Sequence, residues 1–183
     1  KVDFFCDFGP TQFVEVRHAI AYLLDREEFA NTFCGGYGAV VHGPYGFAMW
    51  MYQEAEEELN STLETYAYNV NKAIETLVAG GWTLNEKGEA YTSGIRYKKV
   101  TAEEAENCST IVTLADGTLL MPLIIEWLSS ENNSVSDLLV TMLAKNSTTE
   151  QAGVKINQTV VSFDELLNYM YRDASQGDKY GVP

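Results

Sequence analysis

Basic residues are scarce in this 183-residue chain: 12 Lys and Arg stand against 26 Asp and Glu, a net charge of −14. A phosphate backbone is repelled by such a surface, which argues against nucleic acid as a partner. Histidine is scarcer still, with His18 and His42 alone, and no H-E-x-x-H, G-x-S-x-G or phosphate-loop pattern occurs. Three cysteines, Cys6, Cys34 and Cys108, are an odd number without CxxC spacing. That count argues against a disulfide framework and a zinc site and reads as buried free thiols, with one bridging pair left open. There is no run of about 18 apolar residues, so no segment reads as a membrane-spanning helix. Residues 1–10 hold neither a basic start nor a small-residue cleavage site, so no signal peptide is expected within them.

What is present is a globular composition, 46% hydrophobic and 12% aromatic, in a length that suits one domain. Val16, Ala19, Ile20, Leu23 and Leu24 recur at helical spacing. Asp25, with Glu28 three residues on, starts a second helix in the manner of a capping box, and Gly35-Gly36 ends it. Helices are expected over roughly 13–24 and 26–34, after an aromatic strand from Val2 to Phe8. The stretch from Phe47 to Tyr66 reads either as a helix anchored by Met49, Tyr52, Leu59 and Leu63 or as part acidic loop. Its run Glu54-Ala55-Glu56-Glu57-Glu58 reads as a solvated face, and the alternating oxygens and glycine turn of a calcium loop are missing.

Asn69 caps a helix over Val70–Ala79 that Gly80-Gly81 stops before Trp82. A short strand at Ile95–Val100 and a helical turn at Ala102–Asn107 follow. Asp116-Gly117 then predicts a hairpin between Thr110–Leu114 and a strand over Leu119–Leu128. After a polar link at Ser129–Asn133 come a helix over Val135–Lys145 that runs on toward Gln151, a strand over Val154–Val161, and a helix capped by Ser162. One more strand is expected at Tyr180–Val182. The order predicts a mixed α/β fold, a small mixed sheet flanked by helices.

Three blocks carry a resemblance. Val16-Arg17-His18-Ala19-Ile20-Ala21-Tyr22 with Asp25-Arg26-Glu27 is the first. Tyr68, Asn71, Lys72, Ala73, Leu77, Gly81 and Trp82 are the second, although Asn69-Val70 replaces the aspartate-proline start and Gly80 an alanine. The third is Ala152-Gly153-Val154-Lys155-Ile156 followed by Ser162-Phe163-Asp164-Glu165-Leu166. In this order they resemble the family 5 extracellular solute-binding proteins, the oligopeptide-, dipeptide- and nickel-binding components of ABC importers. Residues 47–66 and 83–110 match poorly.

The resemblance implies a fold similar to the C-terminal lobe (domain III) of a type II periplasmic binding protein. Residues 1–183 would be a single domain, a fragment of the second lobe of a larger two-lobe protein. It implies a non-enzymatic bacterial protein that binds a peptide or other small solute, with no cofactor and no bound metal. Its partner would be an ABC permease in the membrane. Its place would be extracytoplasmic, as a membrane-anchored lipoprotein on the cell surface or in the periplasm. Phe163, Leu167 and Met170 would line the ligand cleft, together with Asn132 and Asn133. Met170 stands where oligopeptide binders carry an arginine, so it brings no charge there. The same three apolar residues also read as the core stripe of an amphipathic helix.

Two other readings stay open. An α/β enzyme subdomain would use Cys34 as nucleophile with His42 as base, but no third residue at defined spacing orients them. Within the family, nickel complexes or oligosaccharides are alternative ligands to peptides.

Overall fold

Helix α1 (Val14–Leu23) sits at the centre of the packing in the computed structural model, which describes residues 3–43, 45–172, 175 and 180. Its apolar stripe, Val16, Ala19, Ile20 and Leu23, is almost wholly removed from water. Helix α4 (Val70–Ala79) lies against it, bringing Ala73 and Leu77. Alanines on both helices let the backbones approach closely. The amide of Asn69 donates to the Tyr22 carbonyl at 2.9 Å where the two helix ends meet.

The expected punctuation is in place. Asp25 accepts from the Glu28 amide at 2.9 Å and opens α2 (Arg26–Phe33). The Glu28 carboxylate does not return to the cap; it pairs with Lys145. Asn69 accepts from the Lys72 amide and opens α4. At the other end of α4, Gly81 (φ +86°) donates to the Val78 carbonyl and Trp82 donates to that of Leu77. This closing motif drives Trp82 into the core beneath Leu77. The ambiguous acidic stretch is helix α3 (Trp50–Thr62). Glu54, Glu56, Glu57 and Glu58 all face solvent on it, as the composition predicts.

Two small sheets replace the single mixed sheet, within the mixed α/β architecture expected. The first is antiparallel, with β3 (Leu119–Pro122) between β1 (Tyr97–Val100) and β2 (Val112–Thr113). The capping-box helix α5 (Ala102–Glu106) lies between β1 and β2 in sequence. The second sheet is a parallel pair, β4 (Ile124–Ser130) and β5 (Lys155–Val161), in register from Ile124 with Lys155 to Ser130 with Val161. The strand expected over Leu119–Leu128 is therefore two strands. Pro122 has no amide hydrogen and ends β3. The next residue, Leu123, donates to the Arg96 carbonyl and accepts from the Lys155 amide, so one residue ties both sheets.

Between β4 and β5 run α6 (Ser134–Ala144), a short 3-10 turn, and α7 (Thr148–Ala152), which Gly153 ends at φ +74°. Helix α8 (Phe163–Tyr171) follows β5, capped by Ser162 accepting from the Glu165 amide.

Two further expectations need correction. Residues 3–8 form no strand: they run as an irregular segment into a 3-10 turn at Gly9–Gln12. The hydroxyl of Thr11 donates to the Phe5 and Phe8 carbonyls, which curls the segment back on itself where a ladder would need it straight. The cysteines are free but not buried: Cys6 and Cys34 are exposed and Cys108 is half-buried. The strand expected at Tyr180–Val182 falls largely outside the described residues; Tyr180 itself is buried, its ring 4.7 Å from that of Tyr169.

Candidate ligand-binding edge and groove

Parallel strands β4 and β5 place their carboxyl ends side by side, and the amide of Glu131 closes them by donating to the Val161 carbonyl at 2.8 Å. Both following helices start from this edge. Asn133 caps α6, accepting from the Ser136 amide while its own amide group donates to the Ser130 hydroxyl. Asn132 precedes it, exposed and in the left-handed region at φ +56°. Ser162 caps α8, and Phe163 is 62% exposed on its first turn. In open α/β sheets, ligands settle in the crevice outside the carboxyl ends of the strands. Three of the five residues singled out by resemblance, Asn132, Asn133 and Phe163, are brought together at that edge.

A polar chain backs the edge. The indole of Trp127 donates to the Ser136 hydroxyl at 3.0 Å, Ser129 and Ser136 share a hydrogen bond of 2.7 Å, and the Gln158 amide donates to Ser129 at 3.1 Å. Ser129 and Ser136 are buried, and this chain satisfies them.

A groove of about 500 Å³ runs along β4, whose second edge pairs with no strand among the described residues. Phe5, Phe8, Trp127, Leu139, Tyr169 and Met170 make its lining mostly apolar. Met170 and Asn133 reach this groove; Phe163, Leu167 and Asn132 do not. Leu167 is half-buried, and Met170 is 45% exposed. No residue of α8 is fully buried among the described residues.

Sequence reasoning missed Phe5 and Phe8 as walls of the groove, because their aromatic run reads as a strand. One ion pair closes that wall. Arg172 donates to the Asp7 carboxylate at 2.7 Å, and its guanidinium lies 4.6 Å from the Phe8 ring centre. The hydrogen bond from Arg172 holds the Asp7 carboxyl below its ordinary pKa.

The residues considered for an enzyme do not converge on this site. Cys34 is exposed at the end of α2, and His18 packs its ring 5.2 Å from that of Tyr66. His42 sits half-buried in the loop after α2. Among the described residues no three His, Cys, Asp or Glu side chains are placed to hold a metal ion, and no helix is long and apolar enough to cross a membrane.

Comparison with known proteins places this architecture. No curated protein matches the chain. Among solved structures, the oligopeptide-binding protein AppA from Bacillus subtilis, in complex with a nonapeptide, is 19% identical at a TM-score of 0.60, over 87% of this chain and 25% of that one. The oligopeptide-binding protein from Thermus thermophilus, complexed with a pentapeptide, is 18% identical at 0.57, over 81% and 20%. NikA from Brucella suis, in complex with Fe(III)-EDTA, is 18% identical at 0.59, over 93% and 27%. The chain thus spans about a quarter of the length of these proteins, and at such identity the likeness is one of fold. A family model, described as bacterial extracellular solute-binding proteins, family 5, middle, matches residues 2–180, and this chain belongs to that family.

Proposed function

We propose that this chain is part of the second lobe of an ABC importer's substrate-binding component, and that the solute is a peptide. Family membership over residues 2–180 is the observation that carries the reading. The chain supplies one wall of a cleft; a second lobe supplies the other and closes on the ligand by rigid-body motion. It works outside the cytoplasm, as a lipid-anchored or periplasmic protein, and delivers its solute to a membrane permease. Binding and release are its work, with no covalent step.

Peptide is favoured over other solutes of the family by the site chemistry. Exposed Asn132 offers amide donors and an acceptor to a peptide backbone, and Phe163 and Met170 offer apolar contact to side chains. That mixture is how extended peptides are held, backbone by hydrogen bonds and side chains by pockets. Calorimetry on the intact two-lobe protein with a mixed peptide library tests it. Binding is expected, and Asn132→Ala with Phe163→Ser weakens it about tenfold or more, the loss of a hydrogen bond and a buried aromatic contact. Unchanged affinity in that double variant overturns the placement, and binding of a nickel chelate or oligosaccharide in preference to peptides overturns the solute class.

A further inference from the structure

Trp127 and Ser129 stand two residues apart on β4, so both side chains leave the same face of the strand. Both are buried, and so is Ser136 on the first turn of α6. A buried hydroxyl is costly unless it is hydrogen-bonded, and an alanine at either serine would fill similar space without that cost. Packing therefore accounts for the burial of the two serines and leaves their hydroxyls unexplained.

The hydroxyls close a cycle. Ser136 accepts from the Trp127 indole at 3.0 Å and shares its hydrogen bond of 2.7 Å with Ser129. Ser129 also accepts from the Gln158 amide at 3.1 Å, and the same amide nitrogen donates to the Asp137 carboxylate at 3.4 Å. The peptide bond from Ser136 to Asp137 completes the cycle. Successive residues of α6 are thus tied to different strands, Ser136 to β4 and Asp137 to β5. A single tie lets a helix pivot about it, whereas ties to two strands fix its direction.

What the cycle fixes is the turn that precedes it. Both ends of the Asn133 side-chain amide are engaged: the oxygen accepts from the Ser136 amide and the nitrogen donates to the Ser130 hydroxyl, each at 3.2 Å. On the other side of the turn, the Glu131 amide is bonded to the Val161 carbonyl. Asn132, between them, is exposed and left-handed at φ +56°, a conformation that a residue other than glycine keeps where its surroundings impose it. We propose that Ser136 is a positioning residue of the ligand edge: through the Asn133 cap it holds Asn132 in that conformation, with the Asn132 side chain presented to the solute. Asn133 is then a strut that makes no ligand contact of its own. The proposal rests on the reading above that Asn132 meets the solute, and it names the residues that hold it there.

Two readouts on the intact two-lobe protein test it. The first is native-state hydrogen exchange without ligand, at the amides of Glu131 and Asp137, which flank the turn and bond to the Val161 and Asn133 carbonyls. Ser136→Ala is expected to speed their exchange about tenfold, the loss of one or two hydrogen bonds, while the α4 amides stay slow. Thr141→Ala removes a hydroxyl that bonds only within α6 and leaves the exchange unchanged. The second is calorimetry with an equimolar mixture of random pentapeptides. Ser136→Ala weakens binding about fivefold, and adding it to Asn132→Ala weakens binding no further, because it acts through that residue. Unchanged exchange in Ser136→Ala, equal acceleration by Thr141→Ala, or losses that add in the double variant overturn the proposal. If Ser136→Ala does not fold, Gln158→Ala, an exposed substitution that opens the same cycle, must give the pattern in its place, and its failure to do so overturns the proposal equally. An Asn132→Ala variant that binds as wild type overturns the placement of the solute instead, while faster exchange in Ser136→Ala still upholds its hold on the turn.

Discussion

Gly153 holds φ at +74°, and a methyl group added there would lie 2.5 Å from the Arg96 Cγ and 2.8 Å from the Tyr91 hydroxyl. Arg96 has no room to yield. It is buried, its Nε donates to the Ala152 carbonyl at 2.8 Å and its Nη1 to that of Trp82 at 3.0 Å, and its guanidinium stacks 3.9 Å from the Tyr91 ring centre. Burial pulls its pKa down, yet an arginine stays charged in a protein, and the two carbonyls and the ring meet that charge. Gly153→Ala is expected to lower stability by about 2–4 kcal/mol in urea unfolding, from the left-handed backbone and the clash together. Gly94→Ala separates the two terms: Gly94 has φ +82° but open space around it, so about 1 kcal/mol is expected. Equal losses at both sites would mean that the contact with Arg96 does not matter. The left-handed turn at Gly153 was legible from its place after a helix, whereas the arginine's role was not, because nothing local marks a basic residue that crosses to distant backbone segments.

At the level of elements, the segment before α1 and the end of α8 are joined, among the described residues, by a side-chain ion pair. Asp7 and Arg172 pair while each keeps more than a third of its side chain exposed, and among the described residues no backbone ladder joins the two segments. The pair lowers the pKa of Asp7 in the folded chain, so the folded state is favoured where Asp7 is ionised in both states. That contribution is present above about pH 4, where the carboxyl of the unfolded chain titrates, and is lost as pH falls through the lower native value. Wild type should melt above Asp7→Asn at neutral pH, by a small margin suited to an exposed pair, and the gap should close in acid. A gap in melting temperature that is constant with pH would show that Asp7 acts through something other than this charge pair. Helix ends were the most legible elements, since Asp25, Asn69 and Ser162 cap the helices that the periodicity predicts. Aromatic residues 3–8 misled because β-propensity measures fit to a pleated surface, and here the Phe5 and Phe8 rings pack on each other and on the groove. Pro122 splits an apolar run, Leu119–Leu128, that reads as one strand from its composition.

For the molecule as a whole, family and fold class were legible because three motif blocks fall in order along one chain, while the site was legible only in part. Asn133 and Phe163 lie at or next to cap positions, so the sequence places them at the sheet's edge. Whether Leu167 and Met170 face core or cleft depends on what packs over α8, which an apolar stripe does not reveal. Leu123 has a larger consequence. Its amide and carbonyl bond to residues of different sheets, 27 residues behind it and 32 ahead, and its side chain is fully buried. Neither sheet can open at that point without breaking the other's last bond, so the antiparallel and parallel halves form one cooperative unit. In native-state hydrogen exchange the Leu123 amide should be among the slowest, tracking global unfolding as denaturant rises. If it exchanges faster than the amides of α4, the two sheets open separately. Slow exchange would mean that β4 and β5 start from a fixed seam, opposite the edge where α6 and α8 begin, so that the ligand edge rises from an anchored base.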